Sequence, residues 1–229
     1  MLDFNFYLIE LFIKNRLYFM DEKVTLKTLK SREKEARKDL IIDAAERVFA
    51  TKPVDKATMR EIADEAGMAT SSIYRFFSNQ EAILIAAAVR TQTKFNVILD
   101  KFFDEKKPEE SLKKVLNIYI DFISENDTYF RMMTILMSQG NLNIESSKAL
   151  VEVMNESLVR LDRIFKLMKF SDNPRPLSRY IYASMIGISV SYNKLPGINP
   201  ESRLKHMQSL SDLLFDMIIH YPRESKLPG

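Results

Sequence analysis

Hydroxyl, amide and guanidinium side chains crowd one short segment of this chain, residues 58–80, TMREIADEAGMATSSIYRFFSNQ. Arginine pairs bidentately with the edge of guanine, and short hydroxyls reach base edges in a major groove. By that chemistry Thr70, Ser71, Ser72 and Arg75 are candidates for base contacts, and Arg60 reaches toward a base from just upstream. Thr58, Tyr74, Asn79 and Gln80 carry the hydroxyls and amides that suit phosphate oxygens. The same residues also fit a plain helical hairpin in a bundle core. Spacing alone leaves both readings open.

The elements that hold these residues are legible. Thr58 and Glu61 have the spacing of a capping box. Met59, Ile62, Ala63 and Ala66 then recur on one helical face, while Arg60, Glu61, Asp64 and Glu65 take the wet side. Gly67 follows the last periodic residue, where a glycine takes the left-handed conformation that ends a helix. Met68 plugs the turn. A second short helix is expected over 70–77, with Ile73 and Phe77 inward, and Ser78 with Glu81 is expected to cap a third. Helix, glycine turn and helix make the helix-turn-helix pattern.

The segment resembles the N-terminal signature of the TetR family of transcriptional regulators, T-x-x-x-I-A-x-x-A-G-V-S-x-G-x-x-Y-x-x-F-x-x-K-E-x-L. Thr58, Ile62, Ala63, Ala66, Gly67, Tyr74, Phe77 and Glu81 carry the likeness. Met68, Ala69, Ser71 and Gln80 stand where the family has Val, Ser, Gly and Lys. The helix expected over Lys34–Ala50 also resembles the family's first helix. The resemblance implies a dimeric DNA-binding protein whose last two long helices pair with those of a second subunit. It also implies a small-molecule site between the middle helices and release of DNA on binding. In the family the lysine that Gln80 replaces reaches a phosphate. Arg75, Arg60 and the basic arm Lys23–Lys38 are therefore expected to supply more of the counterion release that drives DNA affinity.

Composition excludes other functions. The 229 residues are 46% hydrophobic, enough for a core, and carry 34 basic against 31 acidic residues, a net charge of +3. DNA affinity must then come from local placement of charge. Without cysteine there is no disulfide scaffold, thiolate metal site or cysteine nucleophile, which fits a cytoplasmic protein. The two histidines, His206 and His220, lack ligand spacing, and no P-loop, GxSxG or GxGxxG occurs. No enzyme, metal or cofactor is expected.

The opening MLDFNFYLIELFIKNRLYFM is apolar but interrupted by Asp3, Glu10, Lys14 and Arg16. It is too broken to span a bilayer and lacks a signal peptide's basic start. Three readings stand: translation starting at Met20, so that residues 1–19 are a start-site artefact; an extra amphipathic helix; or a membrane-surface anchor.

The remainder reads as successive helices, with breaks at Lys52-Pro53, Pro108, Asp127, Gly140, the 171–176 loop and Pro196-Gly197. An all-α chain of roughly nine helices is expected. Residues 1–30 would be an extension, 31–78 a three-helix DNA-binding domain, and 79–229 a ligand-binding and dimerisation domain. The helix over Tyr180–Tyr192 is apolar nearly all round, and the last helix carries a wide stripe from Leu204 to Ile218. Such helices must be covered, within the monomer or by a second copy. Methionine and aromatic residues of the middle helices mark either ordinary core or an adaptable pocket. The pocket candidates are Tyr119, Phe122, Phe130, Met133, Met137, Met154, Asn155, Phe165 and Tyr182. The expected function is a regulator, most simply a repressor, that binds a palindromic operator in double-stranded DNA as a homodimer, without a membrane. A small hydrophobic or amphipathic effector would release it. The alternative is a helical adaptor that uses the helix-turn-helix for protein contact.

Overall fold

The computed structural model describes residues 25–138, 142, 144–170 and 172–221. The three readings of the N-terminal stretch, and the helix end expected at Gly140, lie outside the described residues. Every regular element among the described residues is helical: α1 Leu26–Thr51, a 3-10 turn Val54–Lys56, α2 Met59–Glu65, α3 Thr70–Ile73, α4 Gln80–Lys101, α5 Pro108–Glu125, α6 Asp127–Ser138, α7 Ile144–Leu167, α8 Arg175–Tyr192 and α9 Pro200–Ile219. The all-α expectation holds.

The described residues divide into two compact units, one ending at Leu40 and the other beginning at Ile41. Helix α1 starts well before the expected Lys34 because Thr25 and Thr28 cap it. Each threonine hydroxyl accepts from the other's backbone N–H, at 2.8 and 3.2 Å. Within the first unit, Glu33–Arg37 and Glu35–Lys38 form ion pairs at helical spacing. Leu40 is exposed.

The second unit has two apolar cores. The first joins the C-terminal half of α1 (Ile41, Ala45, Phe49) to Ile62 of α2, Ile73 of α3, the start of α4, and Tyr129–Leu136 of α6. The second joins α5, α7, α8 and α9 through Leu116, Ile120, Ile164, Phe165, Ile181 and Met207. Helix α4 runs through the middle and packs on α7, α6 and α5. By length and composition alone it is apolar enough to cross a membrane, but Ile83, Leu84, Ala87, Ala88, Phe95 and Leu99 are buried inside the protein.

Helix ends follow local chemistry, with two shifts of one residue. Asn79, not Ser78, caps α4: its Oδ1 accepts from the Ala82 N–H at 2.8 Å. Asp127 is the first residue of α6 rather than its cap, since the Asn126 carbonyl accepts the first helical bond from Phe130. Asn199 caps α9 as its sequence predicts, with Pro200 in the first turn. Two large apolar stretches of α8 and α9 stay uncovered within the chain. Tyr180, Val190, Leu213 and Met217 are each more than half exposed.

Candidate DNA interface and effector cavity

The helix-turn-helix is built from Thr58 onward. The Thr58 hydroxyl accepts from the Glu61 N–H, and the Glu61 carboxylate accepts from the Thr58 N–H at 2.9 Å. Lys52 Nζ adds a bond to the same carboxylate at 2.6 Å. Lys52 first, and Thr58 after it, hold the Glu61 carboxyl below its ordinary range. A second ion pair, Arg47–Glu65 at 2.5 Å, ties the other end of α2 to α1. Gly67 has φ +63°, and two bonds close the turn, Met68 N–H to Ala63 carbonyl at 2.9 Å and Gly67 N–H to Asp64 carbonyl at 3.2 Å. This is the Schellman arrangement, which satisfies carbonyls that the helix leaves orphaned.

Helix α3 is shorter than expected. It stops at Ile73 and continues to Phe77 as turns, with the Phe76 and Phe77 N–H groups both donating to the Ile73 carbonyl. Ile73 and Phe77 are buried and anchor it. Ser71, Tyr74 and Arg75 are exposed, and Thr70 and Ser72 half-buried. Arg60 is exposed and only loosely paired with Asp64 at 3.9 Å. These residues therefore present free polar groups around one short helix.

The other phosphate candidates are partly committed. The Thr58 hydroxyl lies 2.9 Å from the Glu61 carboxylate and donates to it. Asn79 Oδ1 is used in its cap. Gln80 Nε2 donates to the Val54 carbonyl at 2.6 Å, which pins the start of α4 to the 3-10 turn. Lys56, in that turn, was not singled out by sequence reasoning. It is exposed and only 3.8 Å-paired with its neighbour Asp55, so it is a further cation beside the helix-turn-helix.

Contacts between helices lock this head to the body. From α6, Arg131 donates to the carbonyls of Phe49, Ala50 and Lys52 at the end of α1, the shortest at 2.7 Å, and pairs with Asp127 at 3.2 Å. A cation there satisfies orphan carbonyls and meets the negative end of the helix dipole. From α4, Arg90 pairs with Asp43 and Glu46 of α1 at 2.7 and 2.8 Å. An open cleft of about 480 Å³ lies beside these pairs, lined by Asp43, Glu46, Arg47, Glu125 and Asp127. It is open and lined largely by charged and polar side chains.

The apolar space lies deeper, in two small cavities of about 40 and 30 Å³ that share Gln92, Tyr119 and Tyr182 as walls. The first is otherwise lined by Phe95, Leu116, Leu161, Ile181 and Met185, among others, with Ser157 and Arg160 at its margin. Ile123, Phe130, Met133, Met137, Ile186 and Tyr129 surround the second. Of the sequence candidates, Tyr119, Tyr182, Phe130, Met133 and Met137 meet here. Phe122 sits just behind, tilted against Phe95 and edge-on to Tyr129 with centroids at 4.5 and 5.4 Å. Met154 packs on the first core. Two candidates lie elsewhere. Asn155 is exposed and accepts from Arg175 at 2.8 Å. Phe165 is wholly buried in the second core against Phe170.

A buried polar network crosses this region that sequence reading did not identify. Gln92 Nε2 donates to Asn96 Oδ1 and Ser157 Oγ, and Ser157 Oγ donates to Asn96 Oδ1 at 2.7 Å. Gln92 Oε1 accepts from the Tyr129 hydroxyl. The available signal was two amides four residues apart in the otherwise apolar run of α4. Burial pushes the Tyr119 phenol up to about 12, partly offset by its bond with Ser189. Burial likewise raises Tyr129 and Tyr182. All three stay neutral donors at physiological pH.

The sequence model of bacterial regulatory proteins of the tetR family matches residues 41–87, the stretch that holds the helix-turn-helix. By that match, residues 41–87 are similar to the helix-turn-helix segment of the TetR family. Relatives agree with that likeness. An HTH-type transcriptional regulator of Haemophilus influenzae is 34% identical over 100 residues, 42% of this chain and 53% of that one. The fatty acid metabolism regulator protein of Bacillus subtilis is 27% identical over 125 residues, 54% of this chain and 63% of that one. The chain thus spans about half the length of the curated relatives it matches. Among solved structures, the Bacillus subtilis transcriptional regulator FadR in complex with stearoyl-CoA superposes with a TM-score of 0.63 at 20% identity, covering 79% of this chain and 97% of that one. That likeness carries the TetR-type fold across both the helix-turn-helix and the helices behind it.

Proposed function

We propose that this chain is a ligand-responsive transcriptional regulator of the TetR family that binds a palindromic operator as a homodimer and is released by a small apolar or amphipathic molecule. The observation that carries the reading is the polar rim of exposed Ser71, Tyr74 and Arg75 with half-buried Thr70 and Ser72, on α3 and the turn after it, anchored by buried Ile73 and Phe77. A hairpin serving only as core would bury that rim. Arg75 and Ser71 read base edges, Thr70 and Ser72 support them, and Arg60 reaches in from α2. Tyr74 and Lys56 meet phosphates, with Thr58, Asn79 and Gln80 fixing the frame that aims them.

The uncovered faces of α8 and α9 support the dimer. Tyr180, Ala183, Gly187 and Val190 share one side of α8, and Leu213 and Met217 share one side of α9. Small residues on such a face let a second copy approach closely, and two heads on a twofold axis read a palindrome. Release of DNA follows if the effector favours a geometry of the body in which the two heads no longer match the half-site spacing. The fatty-acid regulators among its relatives make molecules with long alkyl chains the first effectors to try. In its action the protein is read as a repressor. A salt titration of duplex binding tests the DNA-binding step. Affinity should fall steeply and log-linearly with salt; salt-independent retention of DNA would refute a phosphate-contacting interface.

A further inference from the structure

The two apolar cavities of the body share part of their walls, and the first presents only apolar surface. Gln92, Tyr119 and Tyr182 face both. At about 40 and 30 Å³ neither holds more than a solvent molecule or two, whereas ligand pockets run to about 300–1,000 Å³. An effector must therefore part the helices, and a molecule long enough to use both cavities must cross the wall. Charge decides what can cross. Among the lining residues of both cavities the one ion is Arg160, and it is already held. Two of its nitrogens bond Asp100 at 2.7 Å each, and a third bonds the Glu156 carbonyl at 3.0 Å. No lining group is left to pair a carboxylate or phosphate, and an unpaired buried ion is costly. Neither cavity is lined by a carboxylate that could pair a cation.

We propose that the effector is an uncharged, elongated apolar molecule carrying one hydrogen-bonding oxygen near its middle, seated across the wall of Gln92, Tyr119 and Tyr182. The inference rests on reading the body as an effector domain. The oxygen accepts from the tyrosine hydroxyls, and the two alkyl arms fill the two enlarged cavities. Opening the wall also disturbs the bond from Tyr129 on α6 to Gln92 on α4. Those are the helices whose Arg131 and Arg90 hold α1.

Calorimetry on the full chain tests this with three probes: a medium-chain dialkyl ketone, the carboxylate of the same chain length, and the coenzyme A thioester of that carboxylate. The ketone should bind about tenfold or more tightly than either charged probe. Tyr119→Phe and Tyr182→Phe, each checked for a native thermal melt, should each weaken ketone binding by about three- to tenfold, the worth of one hydrogen bond. Equal or tighter binding of the carboxylate or thioester would overturn the neutral-ligand proposal while leaving an effector-binding body intact. Unchanged ketone affinity in both tyrosine variants would overturn the role of the wall. No ketone binding would overturn the proposal outright, and release of selected operator DNA by another compound would then show that the regulator reading survives it.

Discussion

At the scale of single residues, the proposed DNA interface separates groups that aim from groups that would read. Ile73 and Phe77 are buried and fix the helix, so substitutions there act through folding. Arg75 is exposed, so Arg75→Ala should leave stability unchanged and weaken specific operator binding by about 1–3 kcal/mol while relaxing one base position. Anisotropy titrations against a panel of single-base operator variants check both parts. Gly67 tests the turn itself. Nothing lies within 4 Å of a Cβ added there, but its φ of +63° is costly for any other residue. Gly67→Ala should cost about 1–2 kcal/mol in a denaturant melt, from backbone strain alone. Much of this was legible in sequence. Thr58, Glu61 and Gly67 announce their structural roles by spacing, because caps and turns depend on residues within four positions of one another. The bond from Gln80 to the Val54 carbonyl joins residues far apart in the chain, so its structural use was hidden and the side chain read as a phosphate donor.

Helices and their junctions join head to body, and on the proposed function they carry the coupling between them. Arg131 is the clearest case, a cation from α6 placed on the last carbonyls of α1, a helix with no basic residue in its own last turn. Arg131→Met should lower stability by about 1–2 kcal/mol through the lost charge-assisted bonds. It should also blunt effector release of DNA without changing the affinity of the free body for effector. Urea melts and paired ligand and operator titrations separate these effects; full allosteric response in the variant would deny Arg131 a coupling role. Helix type and order were legible because apolar periodicity and caps are local signals. The ends moved where those signals compete: Asn79 outranks Ser78 as a cap, and Thr25 with Thr28 extends α1 toward the N-terminus. The proposed effector site was only half legible. Periodicity marks Tyr119, Phe130, Met133, Met137 and Tyr182 as inward-facing. It cannot say which core each side chain enters, and so it grouped Phe165 and Asn155 with them.

Over the whole molecule, two cores, an uncovered apolar face on α8 and α9, and a buried tyrosine cluster set the physical behaviour. The cluster makes the fold sensitive to alkali. Tyr119 is raised from 10.0 to about 12, and Tyr129 and Tyr182 are raised with it, all chiefly by burial. Between those values the unfolded chain loses these protons while the folded chain keeps them, so stability falls as pH rises. It should be flat up to about pH 10 and drop steeply above, with Tyr119→Phe softening the slope; thermal melts across pH 8–12 measure it. The central claim concerns DNA. Selection from random duplexes with the purified chain at moderate salt, followed by sequencing of the retained pool, tests it most directly. An enriched palindrome is the predicted result, with half-sites about one helical turn apart or a multiple of it, as two heads on a twofold axis require. A folded dimer that enriches no sequence would contradict the account and favour a helix-turn-helix used for protein contact.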